Sequence, residues 1–385
     1  MAEEKTAIRT RRIHHSGRFG QIGIYLGKQL RFFIRENDWK VLPMAAMIAG
    51  LVGMVIRNRF FVNMEGTLIS AFALTCVAIW NGCFNSIQSI CRERAIVKRE
   101  HRSGMHVSSY VCAHMLYQMM LCLFQTGLSL YVLVLLGVPF PAKGFMTPFM
   151  VIDIGITMLL VSYAADMLSL FISSVSHTTT GAMTVMPFVL IFPLVFSGGI
   201  IPLPEWSQSL SDYTISNYGI RAIAAQSGYN ELPMVTAWNT LSGMRTREMG
   251  GSFTLGQVLD LLNSPGVEKH RDSVILNLEA SEEGAENYSL TLGTILDGVK
   301  GNEFLNAEGD QVFTVSFTLG DVFDIFGEEK VKEMVQRTTA EAAYKEEYAR
   351  TRTNVVSNWL SLGVFILFFA FLSTLSLELI DKDKR

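Results

Sequence analysis

Apolar residues gather into six long runs, at about 39–56, 66–90, 110–136, 146–173, 180–197 and 355–379, separated by polar or basic stretches. An α-helix rises roughly 1.5 Å per residue, so about 20 apolar residues cross a hydrocarbon layer roughly 30 Å thick. The pattern predicts an all-α polytopic membrane protein with six transmembrane helices. None of the runs has the basic head, short apolar core and small-residue cleavage site of a removable leader. Ahead of the first run, QIGIYLGKQLRFFIREN puts Ile22, Leu26, Leu30, Phe33 and Ile34 on one helical face and Lys28, Arg31 and Arg35 on another. Such a helix suits the membrane interface, apolar side down and cations toward lipid phosphates, and it equally suits a docked partner.

The expected organisation follows. A flexible basic segment covers 1–20, the amphipathic connecting helix 21–38, five spans 39–198, an extracellular re-entrant segment and domain 199–354, and the sixth span with its tail 355–385. The large insertion between spans five and six is expected to be α+β or mostly helical. FSGGIIPLPEW, at 196–206, ends the fifth span with paired glycines and two prolines. Neither continues a helix, so the chain turns there and SQSLSDYTISNYGIRAI is expected to fold back into the outer leaflet.

Charge orients these elements. Lys5, Arg9, Arg11, Arg12 and Arg18 precede the first span, Arg92, Arg94, Lys98, Arg99 and Arg102 fill the loop at 91–106, and the chain ends DKDKR. With six spans all three lie on one side, which an excess of Lys and Arg marks as cytoplasmic. Arg57 and Arg59 run against that rule. The formal net charge of −3 hides the asymmetry, since the 199–354 segment is acid-rich. All five cysteines, Cys76, Cys83, Cys91, Cys112 and Cys122, lie in or beside spans, which leaves the outer segment without disulfides. That usage fits a bacterial plasma membrane, with both termini cytoplasmic.

The outer segment holds a faint repeat: SFTLGQVLDLL at 252–262, SLTLGTILDGV at 289–299 and SFTLGDVFDIF at 316–326. Thr254, Thr291 and Thr318 each stand two residues before Gly and six before Asp260, Asp297 and Asp324. A threonine N-cap followed by a short amphipathic helix explains the spacing without a ligand, and a duplicated binding surface is the alternative. From Gly327 a charge-dense stretch predicts a helix leading into the last span.

Chemistry is sparse. The chain has no GxxxxGK[ST] phosphate loop, no GxSxG turn, no HExxH and no zinc-like Cys/His spacing. Neither a catalytic residue nor a bound cofactor or metal is expected, and no nucleic-acid partner. Ionisable residues inside spans are expensive and so are functional candidates: Asp153 and Asp166 in the fourth span, His114 in the third. Thirteen residues separate the two carboxylates, roughly 20 Å along a helix axis, which excludes a paired site. A bundle-facing or interfacial role and a proton relay both remain open for them.

ERAIVKREHRSGM, at 93–105, resembles the first cytoplasmic loop of ABC transporter permeases of the G (white, pigment-precursor) subfamily, in which an ER-x-[VI]-[FV]-x-RE pattern is followed by GM or GY. PFVLIFPLVFSGGIIPLPEW and the segment after it are similar to that family's fifth span and return segment, and the helix before the first span resembles its connecting helix. The resemblance implies an ABC-2 type exporter permease that dimerises and moves an amphipathic or lipid-like substrate or a peptide outward through the bilayer. It implies a partner ABC ATP-binding subunit that carries the ATP and Mg. It gives Glu93, Arg94, Arg99, Glu100 and Gly104 to a coupling helix seated on that subunit. It gives Asn81, Phe84, Pro187, Ile191 and Leu194 to the cavity wall, and Gly199 and Ile200 to the gate, where some relatives carry a bulky pair. The outer segment is far longer than the family's usual loop. A membrane sensor or scaffold, whose outer domain binds a peptide or envelope component without transport, is the rival from another class.

Overall fold

In the computed structural model the described residues are 17–35, 38–197, 209–254, 274–278, 288–291, 312–320, 323 and 327–379. The N-terminal and C-terminal basic segments, the re-entrant turn, Asp260, Asp297 and Asp324 lie outside them. Two compact units divide the chain: residues 1–236 with 336–385, and residues 237–335.

The first unit is helical. In chain order it holds α1 (Arg18–Arg35), α2 (Val41–Ile56), α3 (Met64–Ser86), α4 (Ser89–Arg102), α5 (Val107–Leu135), α6 (Met150–Val175), α7 (Thr179–Val195) and α8 (Ile215–Gln226), and it ends with α11 (Arg352–Glu378). Among the described residues four helical runs are long and apolar enough to cross a bilayer: Met64–Arg102, Val107–Leu135, Met150–Val175 and Arg352–Glu378. The apolar helices of 41–56 and 179–193 are shorter. Start signals are chemical: Asn63, Thr178 and Thr351 each accept the N–H three residues on, at 2.6, 3.1 and 3.3 Å, and so cap α3, α7 and α11.

The α6 helix is the centre of this unit, with α3, α5, α8 and α11 packed on it. Its crossing with α3 is backbone against backbone. A Cβ added at Gly82 would lie 2.0 Å from the Ser162 carbonyl oxygen, so only glycine permits the approach. Farther along the same contact the Cys83 thiol faces the Ala165 carbonyl at 3.8 Å and the Ser86 hydroxyl donates to the Asp166 carbonyl at 2.7 Å. A second buried knot ties α8 and α11 to α6. The Thr157 hydroxyl donates to Gln226 Oε1 at 3.1 Å and accepts the Trp359 indole N–H at 2.8 Å.

Asp153 sits in the first turn of α6 with its carboxylate buried. It accepts the backbone N–H groups of Phe145, Met146 and Thr147 at 2.6, 2.8 and 2.8 Å. A carboxylate that holds three amides fixes the α5–α6 connection, which is its role in this fold.

The second unit opens with α9 (Thr236–Gly243), followed by β1 (Glu248–Thr254), β2 (Val274–Leu278), β3 (Tyr288–Thr291) and β4 (Val312–Thr318). The strands form two antiparallel pairs, β1 with β4 and β2 with β3. Thr254 pairs with Val312 and Thr318 with Glu248. Each repeated threonine stands at the end of a strand, and Leu319 and Gly320, directly after Thr318, are helical; the residues after Thr254 and Thr291 lie outside the described ones. Trp238 and Phe323 pack with tilted rings 5.1 Å apart in this unit, and Arg245 pairs with Glu328 at 3.2 Å. The charged stretch after Gly327 forms α10 (Glu328–Ala342), and a 3-10 turn, Glu346–Tyr348, separates it from α11.

Gly82→Ala is expected to destabilise the protein by roughly 1–3 kcal/mol through overpacking, read as a lower melting temperature in detergent. Gly127→Ala, where a Cβ meets nothing within 4 Å, should leave it within about 0.5 kcal/mol. Asp153→Ala orphans three amides and should cost roughly 1–3 kcal/mol, whereas Asp153→Asn, with one acceptor kept, should cost less in the same melt.

Candidate coupling surface and transport pathway

The α4 helix follows α3 after a two-residue turn and carries its charge on two faces with different work. Facing inward, Glu93 is buried and pairs with Lys28 of α1 at 2.8 Å. Glu100 accepts the hydroxyl of Tyr25, and burial together with that carboxylate raises the Tyr25 phenol above its ordinary pKa. Arg94 donates to the carbonyls of Ser174 and Ser176, at 2.7 and 3.0 Å, at the end of α6. The Ser173 hydroxyl accepts the N–H groups of Ile90 and Cys91 at 3.0 and 3.1 Å, two donors that the first turn of a helix leaves without a partner.

Gly104 closes the helix. With φ of +98°, it lets its own N–H reach the His101 carbonyl and the Met105 N–H the Glu100 carbonyl, both at 3.1 Å. This is a Schellman ending, which a residue with a Cβ resists. Gln21 of α1 then seals the turn by accepting the His106 N–H at 2.9 Å.

The outward face consists of Arg92, Ile96, Arg99 and Arg102, all exposed and spaced three or four apart, with exposed Ala95 beside Ile96. Of the five residues assigned to coupling, only Arg99 belongs to this face. Glu93, Arg94, Glu100 and Gly104 hold the hairpin in place. Arg92 and Arg102 are surface residues outside the motif, and Ile96, which matches it, was not assigned to coupling; with Arg99 their i, i+4, i+7 and i+10 spacing was the available signal. Lys28 and Tyr25 were also missed as partners of the hairpin. In the amphipathic reading Lys28 pointed at lipid phosphate, whereas it is turned onto Glu93. Among the assigned apolar residues of α1, Leu30 and Ile34 remain exposed and Ile22, Leu26 and Phe33 are half-buried.

The proposed cavity wall divides in a similar way. On α3, Asn81 is buried in the bundle and Phe84 is 37% exposed, beside Trp80 at 38%. On α7, Pro187 is exposed and Ile191 is 57% exposed, with Phe188 at 74% between them. In the single chain, α3 and α7 pack together and leave this aromatic and aliphatic strip open. Asn81 does not join it. The Leu194 side chain, Gly199 and Ile200 lie outside the described residues. Pro187 and Pro193 both stand inside α7, and the Ser216 hydroxyl of α8 donates to the Pro193 carbonyl.

Asp166 and His114 face the bundle interior, both buried. Asp166 Oδ2 accepts from the Cys122 thiol at 3.4 Å, and Asn85 and Gln125 clasp each other nearby at 2.7 and 3.0 Å. His114 Nε2 lies 3.1 Å from Gln29 of α1. Among the described residues no cluster of His, Cys, Asp or Glu could hold a metal ion.

Comparison with known proteins fits this architecture. The family model of the ABC-2 type transporter matches residues 21–226, from the amphipathic helix through α8. The ABC transporter ATP-binding/permease protein Rv1747 of Mycobacterium tuberculosis is 25% identical over 227 residues, which cover 55% of this chain and 26% of that protein. The chain thus spans about a quarter of the relative's length. With the match running over more than half its residues, and with the amphipathic helix, the clamped hairpin and the bundle up to α8 inside it, this multi-pass membrane protein belongs to the ABC-2 type transporter family.

Proposed function

We propose that the chain is the permease of an ABC exporter, working as a dimer and driven by an ATP-binding subunit or domain. The reading rests above all on α4: a short charged helix, clamped by Lys28–Glu93, Tyr25–Glu100 and Arg94–Ser174, that turns three arginines and Ile96 outward. A rigid basic surface with one apolar centre suits an acidic soluble partner. The 385 residues contain no phosphate-loop motif, so hydrolysis belongs elsewhere. The M. tuberculosis relative is named as an ATP-binding/permease protein, which favours the same division of labour.

In this reading six helices cross the membrane. The shorter α2 and α7 reach across with their flanking residues, and both termini and the hairpin are cytoplasmic. Two protomers set the open α3 and α7 strips face to face, and an amphipathic or lipid-like substrate or a peptide passes outward between them as ATP biases two arrangements of the bundle. The sensor reading keeps one supporting observation, a separate compact unit at 237–335 with its own strand pairs and aromatic contact.

Inside-out vesicles that contain the chain and its ATP-binding partner should accumulate amphiphile only with ATP. Ligand-dependent hydrolysis without accumulation would leave the sensor standing. Arg99→Glu, on the exposed face, is expected to abolish stimulation of the partner's ATPase with membrane insertion unchanged; full stimulation by that variant would remove the hairpin from coupling.

Lys28→Met and Glu93→Gln should each destabilise the fold, and a double-mutant cycle should return a coupling of roughly 0.5–3 kcal/mol. Additive losses in the melt would show that the pair is not a clamp.

A further inference from the structure

Where α3, α5 and α6 meet, polar side chains are buried around Asp166, itself 0% exposed. Cys122 of α5 is the hub of this group. Its thiol donates to Asp166 Oδ2 at 3.4 Å and accepts the Ser162 hydroxyl at 3.5 Å and the Asn85 amide at 3.8 Å. Asn85 and Gln125 face each other through two reciprocal hydrogen bonds, and the Ser86 hydroxyl donates to the Asp166 carbonyl. The second carboxylate oxygen, Asp166 Oδ1, is buried with no hydrogen-bond partner among the described residues. So are both polar atoms of Gln118, one turn before Cys122 on the same face of α5.

No basic side chain pairs with Asp166 among the described residues. The titratable groups that face it are thiols and a phenol, Cys122 of α5, Cys83 of α3 and Tyr163 of α6 itself, none of which can become a cation. No charged group of α4, α7, α8 or α11, which also pack on α6, acts on it. A carboxylate buried in a membrane bundle needs its charge cancelled, and such residues mark proton and ion sites. The donors here are carboxylate, hydroxyl and amide oxygens. That hard set suits sodium or a proton, and it lacks the clustered His and Cys of a transition-metal site.

We infer that Asp166 seats a small monovalent cation, sodium or a proton, on its Oδ1 in the seam between α3, α5 and α6. Ser162, one turn before Asp166, is where α3 and α6 meet at Gly82. Cation binding and closure of the seam are therefore one equilibrium, and an arrangement that opens the seam releases the ion. The site stands whether or not the chain is a permease.

The test uses the full chain in phosphatidylcholine nanodiscs, without any ATP-binding partner, and follows Tm in sodium chloride or choline chloride at one ionic strength. If sodium is the ion, the Tm of the parent should climb by a few degrees over a roughly hundredfold rise in sodium at fixed pH. If a proton is the ion, sodium should do nothing. Tm in choline should then fall as pH rises, because the folded chain holds a proton that the unfolded chain gives up. Asp166→Asn, neutral and close to isosteric, should lose whichever dependence the parent has; other groups titrate in both chains, so the proton arm is read as parent minus variant. A parent that responds to neither ion overturns the assignment, as does a response that Asp166→Asn keeps in full. Should that variant misfold, infrared spectra of the parent with isotope-labelled aspartate decide. A label-shifted stretch of protonated carboxyl at neutral pH places the proton, a Tm response to sodium without that stretch places sodium, and neither result leaves Asp166 without an ion and the inference refuted.

Discussion

The contact between α3 and α6 is what the rest of the membrane unit depends on. At Gly82 the two helices meet with nothing between their backbones, and small or hydroxylated residues continue the seam: Cys83 on Ala165, Ser86 on Asp166, then Ser173 on the first amides of α4. In hydrocarbon no hydrophobic drive holds helices together, so close packing and interhelical hydrogen bonds must do so. The seam supplies both. Arg94 carries it on into the hairpin by holding the last carbonyls of α6. The basic helix is therefore less a loop than a prolongation of the α3–α6 pair.

That geometry explains why the acidic residues of the hairpin motif face inward. A basic helix at a membrane surface needs no Glu to satisfy topology, yet Glu93 and Glu100 each find a partner on α1, at Lys28 and Tyr25. Partly buried pairs of this kind are worth little as net stabilisation but penalise any arrangement that separates them. They fix how α4 sits on α1, with Arg92, Ile96, Arg99 and Arg102 exposed on the opposite face.

The helical architecture was legible because apolar runs of about 20 residues admit few alternatives. The amphipathic helix was legible too, from its 3.6-residue period. Partnership was not: Lys28 and Glu93 stand 65 residues apart, and nothing in either segment tells a lipid phosphate from a carboxylate as the destination of Lys28. Gly82 drew no notice, since its importance lies in what crosses it. Asp153 read as a costly intramembrane charge, although three backbone amides of the preceding loop neutralise that cost. The threonine repeats carry a second signal that spacing did not reveal: Thr254 and Thr318 close β1 and β4, two strands that pair with each other.

Among the described residues of the membrane unit, α7 alone carries prolines beyond the first turn of a helix, at Pro187 and Pro193. Neither ring nitrogen can donate, so the carbonyls of Met183 and Val189 lack the usual rung of the ladder. Curvature there can change without breaking a bond, while α3 and α6, locked along their seam, have no such freedom. The bundle thus combines a stiff spine with one compliant stave.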